Sequence, residues 1–310
     1  APRTTASALR RSAGTPGHGA VALVSVPGPS AFVEAMDALE AGSDVMVFSD
    51  NVPLWQEVAL KSAAAERGLL VMGPDCGTAV LGGVGLGFAN VVSPGPVGIV
   101  AASGTGCQQV LALLDHAGVG VSSALGVGGR DLSAEVRGSA TREAMRRLDE
   151  DPAVELIVLI SKPPAGEVAA EIRAYADSLA TPVQLALLGA GEPDLTAATE
   201  SVLRRLGREV PTWPVAGLST RSTTGAGVIR GLFVGGTLKS EAELIAGAGG
   251  GHTFVDFGDD EYTTGRAHPM IDPSIRLEHL AQAAADPATG VLLLDVVLGH
   301  GAEPDPAASL

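Results

Sequence analysis

The chain has few of the residues that mark several large classes of protein. Its 310 residues include only two cysteines, Cys76 and Cys107, which are too few for a disulfide framework and favour a reducing compartment. Twenty basic residues stand against 35 acidic ones, and the formal net charge of −15 argues against nucleic acid or an anionic membrane as a partner. No apolar run approaches the roughly 20 residues of a membrane helix, and residues 1–19 have no signal-peptide core. We therefore expect a cytoplasmic protein without nucleic-acid or membrane partners.

Aromatic residues are also scarce, at 3% of the chain, whereas 46% of the residues are hydrophobic and 41 are glycine. This composition indicates a core of Val, Leu, Ile and Ala with many tight turns, which is typical of parallel sheets. Apolar runs of strand length alternate with helical patterns from Ala20 onward. The alternation predicts an α/β fold of consecutive Rossmann-like or flavodoxin-like parallel-sheet blocks.

Three such blocks follow a polar segment at the amino end. Residues 1–19 show no periodicity and are predicted to form a flexible arm. Residues 20–95 predict a first block that closes with a glycine-dense hairpin, residues 96–215 a second block and residues 216–310 a third. In the third block, the continuous apolar run 291–298 predicts a parallel strand. The chain ends soon after this run, so we expect a further domain in a longer protein.

The most informative motif is Ser103-Gly104-Thr105-Gly106, called the SGTG turn below. It follows the apolar run 97–102 and precedes a segment with helical spacing, so a strand, a glycine turn and a helix start are predicted there. Such a junction directs backbone N–H groups and the positive end of a helix dipole, about half an elementary charge, at one spot. We predict that the turn binds phosphate or another anion. For Ser103 the alternative is a helix N-cap.

Other candidates follow strands, where open α/β sheets bind ligands. Gly128, Gly129 and Arg130 form a second glycine turn that is predicted to bind a substrate carboxylate, the alternative being a surface pair between Arg130 and Asp131. Lys162 follows an apolar run and is either catalytic or a solvated lysine at a rigid turn.

Two further features leave their alternatives open. Cys107 stands in the first turn of the predicted helix and is either a nucleophile or a small buried thiol. One glycine-flanked loop concentrates ionisable side chains that form a substrate or metal site, or else ordinary surface pairs: Asp259, Asp260, Glu261, Arg266 and His268. From this loop we assign Asp259 and Arg266 to substrate binding, and we assign no metal ligands.

Several motifs resemble the α subunit of succinyl-CoA synthetase and the NDP-forming acyl-CoA ligases. The matching segments are Gly73-Pro74-Asp75-Cys76-Gly77-Thr78, residues 98–106, Gly126-Val127-Gly128-Gly129-Arg130-Asp131 and Asp151-Pro152. The third block resembles the carboxyl-terminal part of the β subunit in residues 254–258, 286–287 and 291–301. Residues 48–53, 161–165 and 258–266 resemble the FdrA family in particular. The resemblance runs from about residue 21 to the end and implies a partial CoA-binding domain followed by α-type and β-type ligase domains.

The resemblance also implies how phosphate is held. In the ligase family, a histidine carries phosphate between two helix N-termini, one from each ligase domain. Transferred to this chain, one N-terminus is the SGTG turn and the other is Gly299-His300-Gly301. Gly299 and Gly301 are then predicted to bind phosphate. His300 is predicted to be catalytic, as a replacement nucleophile or an acid–base group, the alternative being a plain loop histidine.

The chain departs from the ligases at the nucleophile. The family's Gly-His-Ala-Gly segment corresponds to residues 187–196, which contain no histidine, so the usual covalent relay from a nucleotide is not available. The first half of the CoA-binding domain and the ATP-grasp domain have no counterpart, which argues against tight CoA binding. The resemblance implies phosphate as a substrate and no tightly bound cofactor.

FdrA-type proteins resemble a subunit of oxamate carbamoyltransferase, which converts oxalurate and phosphate to oxamate and carbamoyl phosphate. We therefore expect an enzyme subunit for acyl-phosphate or carbamoyl-phosphate chemistry, with a small acyl or carbamoyl substrate, other subunits as partners and an oligomeric assembly. One alternative is a subunit of an NDP-forming acyl-CoA ligase. Another is a non-catalytic subunit that binds a metabolite.

Overall fold

The computed structural model describes residues 4–12, 20–217, 227–247, 249–298 and 302–310. Its helices are α1 Thr5–Ser12, α2 Gly28–Glu40, α3 Leu54–Ala65, α4 Gly104–His116, α5 Ser139–Glu150, α6 Gly166–Asp177, α7 Leu195–Arg205, α8 Gly236–Ala246, α9 Asp260–Thr263, α10 Ser274–Ala285 and α11 Pro306–Ser309. Its strands are β1 Val21–Val24, β2 Asp44–Val47, β3 Val71–Met72, β4 Thr78–Leu81, β5 Val84–Gly87, β6 Val97–Ala102, β7 Val121–Gly126, β8 Leu156–Ser161, β9 Val183–Leu187, β10 Val228–Phe233, β11 Thr253–Asp256 and β12 Thr289–Leu294. Among these residues, no helix combines the length and the apolar character that crossing a membrane requires.

The strands form three sheets in succession along the chain. The first is parallel with the order β1-β2-β3, and the third is parallel with the order β11-β10-β12. The central sheet has six strands in the order β5-β4-β7-β6-β8-β9, of which β7, β6, β8 and β9 run parallel. This architecture confirms the predicted α/β fold of consecutive parallel-sheet blocks.

The central sheet holds the largest part of the core. Every residue of β6 and β8 is buried, and the two strands pair along their whole length. Successive side chains of a strand point to opposite faces, so one face of β6 carries Ile99 and the other carries Val100. Ile99 packs in the cluster that includes residues of α4 and α7, and Val100 packs in the cluster that includes residues of α5. Helices on both faces therefore account for the unbroken apolar runs of the sequence.

The glycine-dense hairpin belongs to a different sheet from the one that the sequence predicts. Its strands β4 and β5 are antiparallel, as a hairpin requires, but β4 pairs with β7 through Val80 and Ala124. The hairpin therefore extends the second block instead of closing the first. Ala79 and Val80 are fully buried by this pairing. The local pattern specifies a hairpin, whereas its partner strand is fixed only by long-range packing.

The predicted arm also differs from the structure. Part of it is the helix α1, whose Leu9 packs on the core of the first block and whose Thr5 hydroxyl donates to Glu34 at 2.6 Å. Residues 13–19 of the arm lie outside the described residues.

The parallel strand predicted from the run 291–298 is present as the second part of β12, which pairs in parallel with β10. Because β12 is an edge strand, Val291 is 47% exposed.

Candidate functional site

A cavity of about 430 Å³ opens where the three blocks meet. Its wall is built from turns that directly follow strands of all three sheets, which is the edge where α/β sheets bind ligands. The candidate residues that line it are Ser103, Gly104, Thr105, Gly129, Arg130, Lys162, Asp259 and Arg266. Most of the side chains that the sequence singles out therefore share one site, although they come from positions more than a hundred residues apart.

The SGTG turn forms one end of the cavity. Ser103 is the N-cap of α4 and its Oγ accepts a hydrogen bond from Gly106 N at 2.9 Å, so the capping role is real. Its hydroxyl proton is still able to donate to a ligand, because a serine oxygen accepts and donates at once. Gly104 and Thr105 line the cavity, whereas Gly106 is buried behind them. The turn thus presents its first residues, and not all four, to a ligand.

A second helix N-terminus meets the SGTG turn, and it comes from α8. Gly235 and Gly236, with Thr237, form what we call the GGT turn, which lines the same cavity. A Cβ added to Gly235 would lie 2.4 Å from Thr105 Oγ1, so the two turns are in direct contact. No side chain caps α8. The positive ends of two helix dipoles therefore converge on one point, which is an arrangement suited to phosphate.

The sequence assigns this second N-terminus to a different segment. Gly299, His300 and Gly301 lie outside the described residues, so their predicted roles stay predictions. The sequence analysis does not identify the GGT turn, although it also connects a strand to a helix. The signal that the sequence offers is the pair of glycines one residue after the end of β10.

Lys162 stands beside the GGT turn. A Cβ added to Gly236 would lie 3.0 Å from Lys162 Nζ and 2.4 Å from Asp256 Oδ2, so both side chains touch the N-terminus of α8. Within the described part of the chain, no carboxylate forms an ion pair with Lys162. Its ammonium group is therefore placed to bind an anion held by the two turns. Burial raises the pKa of Asp256, while the Gly258 N–H and Lys162 oppose that rise.

Arg130 lines the cavity, but its guanidinium group is partly used by the protein. Its Nε donates to Glu57 Oε2 at 2.9 Å and its Nη2 donates to the carbonyl oxygen of Val52 at 2.8 Å. Nη1 lies 3.9 Å from Asp260 Oδ2, at the cavity. The alternative of a surface pair with Asp131 is wrong, because Asp131 is completely buried and faces another cation.

That cation is Lys61, which the sequence does not reveal as important. Its Nζ lies 2.8 Å from Glu57 Oε1 and 2.7 Å from Asp131 Oδ1, and it donates to Val127 O at 2.8 Å. All three charged groups are buried. Glu57 thus joins Lys61 to Arg130 and fixes the guanidinium group at the cavity wall. From the sequence, Glu57 and Lys61 are indistinguishable from an ordinary i, i+4 pair on a helix surface.

Asp75 lies in the cavity between charges of both signs. Its side chain is exposed to the cavity, whose walls come from all three blocks. Desolvation by this surrounding protein raises its pKa to about 7, with further contributions from the carboxylates of Asp50 and Asp260, while Lys162 and Arg130 act in the opposite direction. The sequence provides Asp75 only as part of a motif of resemblance and gives no sign of this environment.

The loop after β11 brings Asp259, Arg266 and His268 to the cavity. His268 Nδ1 accepts a hydrogen bond from Met270 N at 3.2 Å, so the neutral ring carries its proton on Nε2. Burial lowers the pKa of His268, which favours this neutral form, although Asp50 opposes the shift. His268 is therefore a hydrogen-bond donor toward the cavity and not a ready nucleophile.

The loop is tied to the first block through Asn51. The Asn51 Nδ2 donates to Thr263 Oγ1 at 3.4 Å, and Thr264 Oγ1 donates to Asn51 Oδ1 at 3.0 Å. Asn51 itself has φ +52°, in the left-handed region that asparagine tolerates. These contacts join the wall from the first block to the wall from the third block.

Three predicted candidates do not face the ligand space. Gly128 has φ +88° and lies behind the wall, where an added Cβ would be 2.7 Å from Pro74 O, so its role is to permit close packing. Cys107 is buried, and this burial raises the pKa of its thiol to about 12, which contradicts the nucleophile alternative. Gly106 is the third. Among the described residues, no three His, Cys, Asp or Glu side chains are grouped in a way that would hold a metal ion.

The chain is similar in sequence to several known proteins. Residues 232–310 match the model of the CoA-ligase family. The uncharacterized protein YahF of Escherichia coli (strain K12) is 39% identical over 93% of this chain and 64% of its own length. The α subunit of an ADP-forming succinate–CoA ligase of Methanothermobacter thermautotrophicus is 27% identical over 55% of this chain and 58% of its own length.

A solved structure is also similar. ATP citrate lyase from Methanothrix soehngenii, in complex with citrate and coenzyme A, superposes with a TM-score of 0.49 at 17% identity, over 67% of this chain and 45% of that one. The chain thus spans about half to two thirds of the length of these three proteins. The match to the CoA-ligase family and the similarity to the succinate–CoA ligase α subunit support the resemblance at the level of the succinyl-CoA synthetase superfamily. That relative is a subunit of a ligase.

Proposed function

We propose that this chain is an FdrA-type enzyme subunit that transfers a carbamoyl group between nitrogen and phosphate. In the reaction, oxalurate and phosphate give oxamate and carbamoyl phosphate. The single observation that carries the proposal is the contact between the SGTG turn and the GGT turn at a cavity that also holds Lys162.

Phosphate is the ligand that this contact suits best. Two helix N-termini supply backbone N–H groups and partial positive charge, and Lys162 adds a full charge next to Gly236. The uncapped start of α8 leaves its first N–H groups without a side-chain acceptor. An oxygen of bound phosphate then attacks the carbamoyl carbon, and the same set of donors stabilises the negative charge that develops.

This chemistry requires no covalent intermediate on the protein. Residues 187–196, which replace the nucleophile segment of the ligases, contain no histidine. Of the histidines described at the cavity, His268 holds its Nδ1 against Met270 N and offers a proton on Nε2. Direct attack by phosphate is therefore the simpler route, with His268 and Arg130 available to bind the carboxylate or the carbonyl oxygens of the substrate.

The second candidate is a subunit of an NDP-forming acyl-CoA ligase. The observation that favours it is the similarity to the α subunit of a succinate–CoA ligase, together with the match of residues 232–310 to the CoA-ligase family. In that case the two turns would hold phosphate on its way to or from an acyl group, and a nucleotide-binding partner would supply it.

One pair of assays separates the candidates. The intact protein, alone and with its partner subunits, is incubated with oxalurate and phosphate, and carbamoyl phosphate is measured. A parallel reaction contains ATP, CoA and succinate, and succinyl-CoA is measured. We expect product in the first assay. Product only in the second would overturn the proposal in favour of the ligase.

A further inference from the structure

We propose that Asp75 is the proton-transfer residue of this site, giving a proton to the nitrogen that leaves the carbamoyl carbon and recovering one from phosphate. This inference rests on the proposed function and adds a catalytic residue to it. It starts from the position of Asp75 at the cavity, between the acidic and the basic groups that line the wall.

The backbone holds Asp75 in a conformation that few residues adopt. Its φ is +56°, in the left-handed region that is unfavourable for an ordinary side chain and that aspartate tolerates better than most. The N–H of Asp75 donates to Ser49 O at 2.9 Å, and the N–H of Cys76 donates to Val47 O at 3.0 Å. The end of β2 therefore clamps the turn and aims the carboxyl group at the cavity. Such over-determined strain is typical of functional positions.

The charges around Asp75 suit a group that takes up and gives back a proton. It faces Asp50 after β2 and Asp260 in α9, and on the basic side Arg130 after β7 and Lys162 after β8. Desolvation by the protein around the cavity and the two acidic neighbours favour the protonated carboxyl, whereas the two cations favour the carboxylate. With a pKa of about 7, both forms are populated near neutral pH, which is the condition for efficient acid–base catalysis.

Two other ionisable groups at the cavity, His268 and Asp256, are less free to do this. His268 Nδ1 is occupied by the N–H of Met270, so the ring can donate from Nε2 but cannot relay a proton. Asp256 Oδ1 accepts from Gly258 N at 2.9 Å. Within the described residues, no hydrogen bond is made to the carboxyl oxygens of Asp75, which leaves both for the substrate.

The proton balance of the reaction closes without another reactant. Hydrogen phosphate forms a C–O bond to the carbamoyl carbon of oxalurate, and the C–N bond to the oxamate nitrogen breaks. Protonated Asp75 gives its proton to that nitrogen, so oxamate leaves as the neutral amide. The proton of hydrogen phosphate then returns to Asp75, and carbamoyl phosphate leaves as the dianion. Total charge and hydrogen count are equal on both sides.

The test uses the reverse reaction, from carbamoyl phosphate and oxamate, so that the ionisation of inorganic phosphate does not affect the rate. In this direction Asp75 must be a carboxylate that accepts the amide proton. We expect kcat to rise with pH and to level off above about pH 7 in the intact enzyme with its partner subunits. Asp75→Asn should lower kcat by roughly 10²–10⁴-fold and remove the rise. Asp177→Asn, an exposed aspartate on α6, is the matched control and should keep the wild-type profile.

A phosphate-binding measurement distinguishes a loss of proton transfer from a folding defect in the Asp75→Asn variant. Asp75→Asn should bind inorganic phosphate, measured by equilibrium dialysis, within about threefold of wild type. Asp75→Glu should recover part of kcat, because it restores a carboxyl group at a shifted position. A wild-type kcat that is flat from pH 6 to 8, or an Asp75→Asn variant that keeps the pH-dependent rise, would overturn the assignment.

Failure of the carbamoyl reaction itself would be recognised separately. If the wild-type complex makes no product in either direction, the proposed function fails. The titration of the Asp75 carboxyl group is then measured by carbon NMR of protein with labelled aspartate carboxyls. A carboxyl signal that titrates near pH 7, is missing in Asp75→Asn and moves when phosphate is added supports the proton site. A normal titration near pH 4 would overturn it.

Discussion

The two helix N-termini at the cavity are built in different ways. α4 follows β6, which is fully buried in a six-stranded sheet, and Ser103 caps the helix onto Gly106. α8 follows β10 in a sheet of three strands, starts from Gly235 without a side-chain cap, and has the half-exposed β12 as a neighbour of its strand.

The difference shows how one site combines a rigid part and an open part. The SGTG turn is pre-organised by the core beneath it, whereas α8 starts without a side-chain cap and the N–H of Gly235 is held from behind by Asp295. There, Asp295 Oδ1 accepts from Val234 N at 2.9 Å, and Arg276 Nη1 lies 3.2 Å from the same oxygen. Burial raises the pKa of Asp295 to about 6, against the Val234 N–H and Arg276. The buried ion pair between Asp295 and Arg276 thus supports the start of α8, whereas a six-stranded sheet supports the start of α4.

Separating the two turns should have the largest effect. In Gly235→Val the new side chain would overlap Thr105, since a Cβ alone comes within 2.4 Å of its Oγ1. We expect kcat/KM for phosphate to fall at least 100-fold, because a displacement of about 1 Å at a reacting group has this effect. Gly166→Val at the start of α6, where a Cβ meets nothing within 4 Å, is the control. Equal losses in both variants would contradict direct contact between the turns.

A negative charge added to the SGTG turn should have an effect nearly as large as that of Gly235→Val. Gly104 has no atom within 4 Å of an added Cβ, so Gly104→Asp introduces charge without a steric clash. We expect phosphate affinity, measured by calorimetry, to fall about 100-fold. Gly166→Asp places the same charge at the same position of α6, outside the cavity. If Gly104→Asp binds phosphate as well as Gly166→Asp does, the turn serves packing alone.

Removing the charge beside the GGT turn should have a smaller effect. Lys162→Gln loses one charged hydrogen bond to the anion, for which we expect a loss in phosphate affinity of roughly tenfold. Lys239→Gln removes the same charge from the surface of α8, where Lys239 pairs with Glu243. The comparison of the two dissociation constants decides whether Lys162 binds the anion. If the two variants have the same dissociation constant for phosphate, Lys162 is a solvated lysine that does not bind the anion.

Loss of the Ser103 cap of α4 should have the smallest effect on phosphate affinity and should act mainly on the free energy of unfolding. Ser103→Ala removes the acceptor for Gly106 N and should lower the free energy of unfolding by about 1 kcal/mol. Asp194→Ala removes the corresponding cap of α7 at Ala197 and should cost a similar amount in urea unfolding. Phosphate affinity should stay within about threefold of wild type in both. A tenfold loss in Ser103→Ala alone would make Ser103 a ligand contact.

Much of the site was predictable because its parts are local. The run 97–102 followed by the SGTG turn has the pattern of a strand, a turn and a helix, and the structure has all three. Arg130 and Lys162 were found because they follow strands, and parallel strands bring their carboxyl ends to one edge. Their roles in binding and catalysis stay predictions.

The missed parts depend on contacts between distant segments. Lys61 resembles a surface residue until Asp131 and Val127 are brought around it. Asp75 has an ordinary sequence position, and its pKa is raised only when the folded chain surrounds it and brings the carboxylates of Asp50 and Asp260 near it. The same holds for Cys107, where a helix N-terminus suggests reactivity but complete burial raises its pKa to about 12.

The sequence by itself determined the alternation of strands and helices, the three parallel-sheet blocks and the SGTG turn, because apolar periodicity and glycine placement act over a few residues. Only the tertiary structure decided which helix faces that turn, which sheet the hairpin joins and which carboxylates share the cavity. Pairing of distant segments depends on shape and buried charge in three dimensions, and a local pattern carries neither. The glycine turn that the sequence predicts as an anion site thus contacts the start of α8, about 130 residues further along the chain.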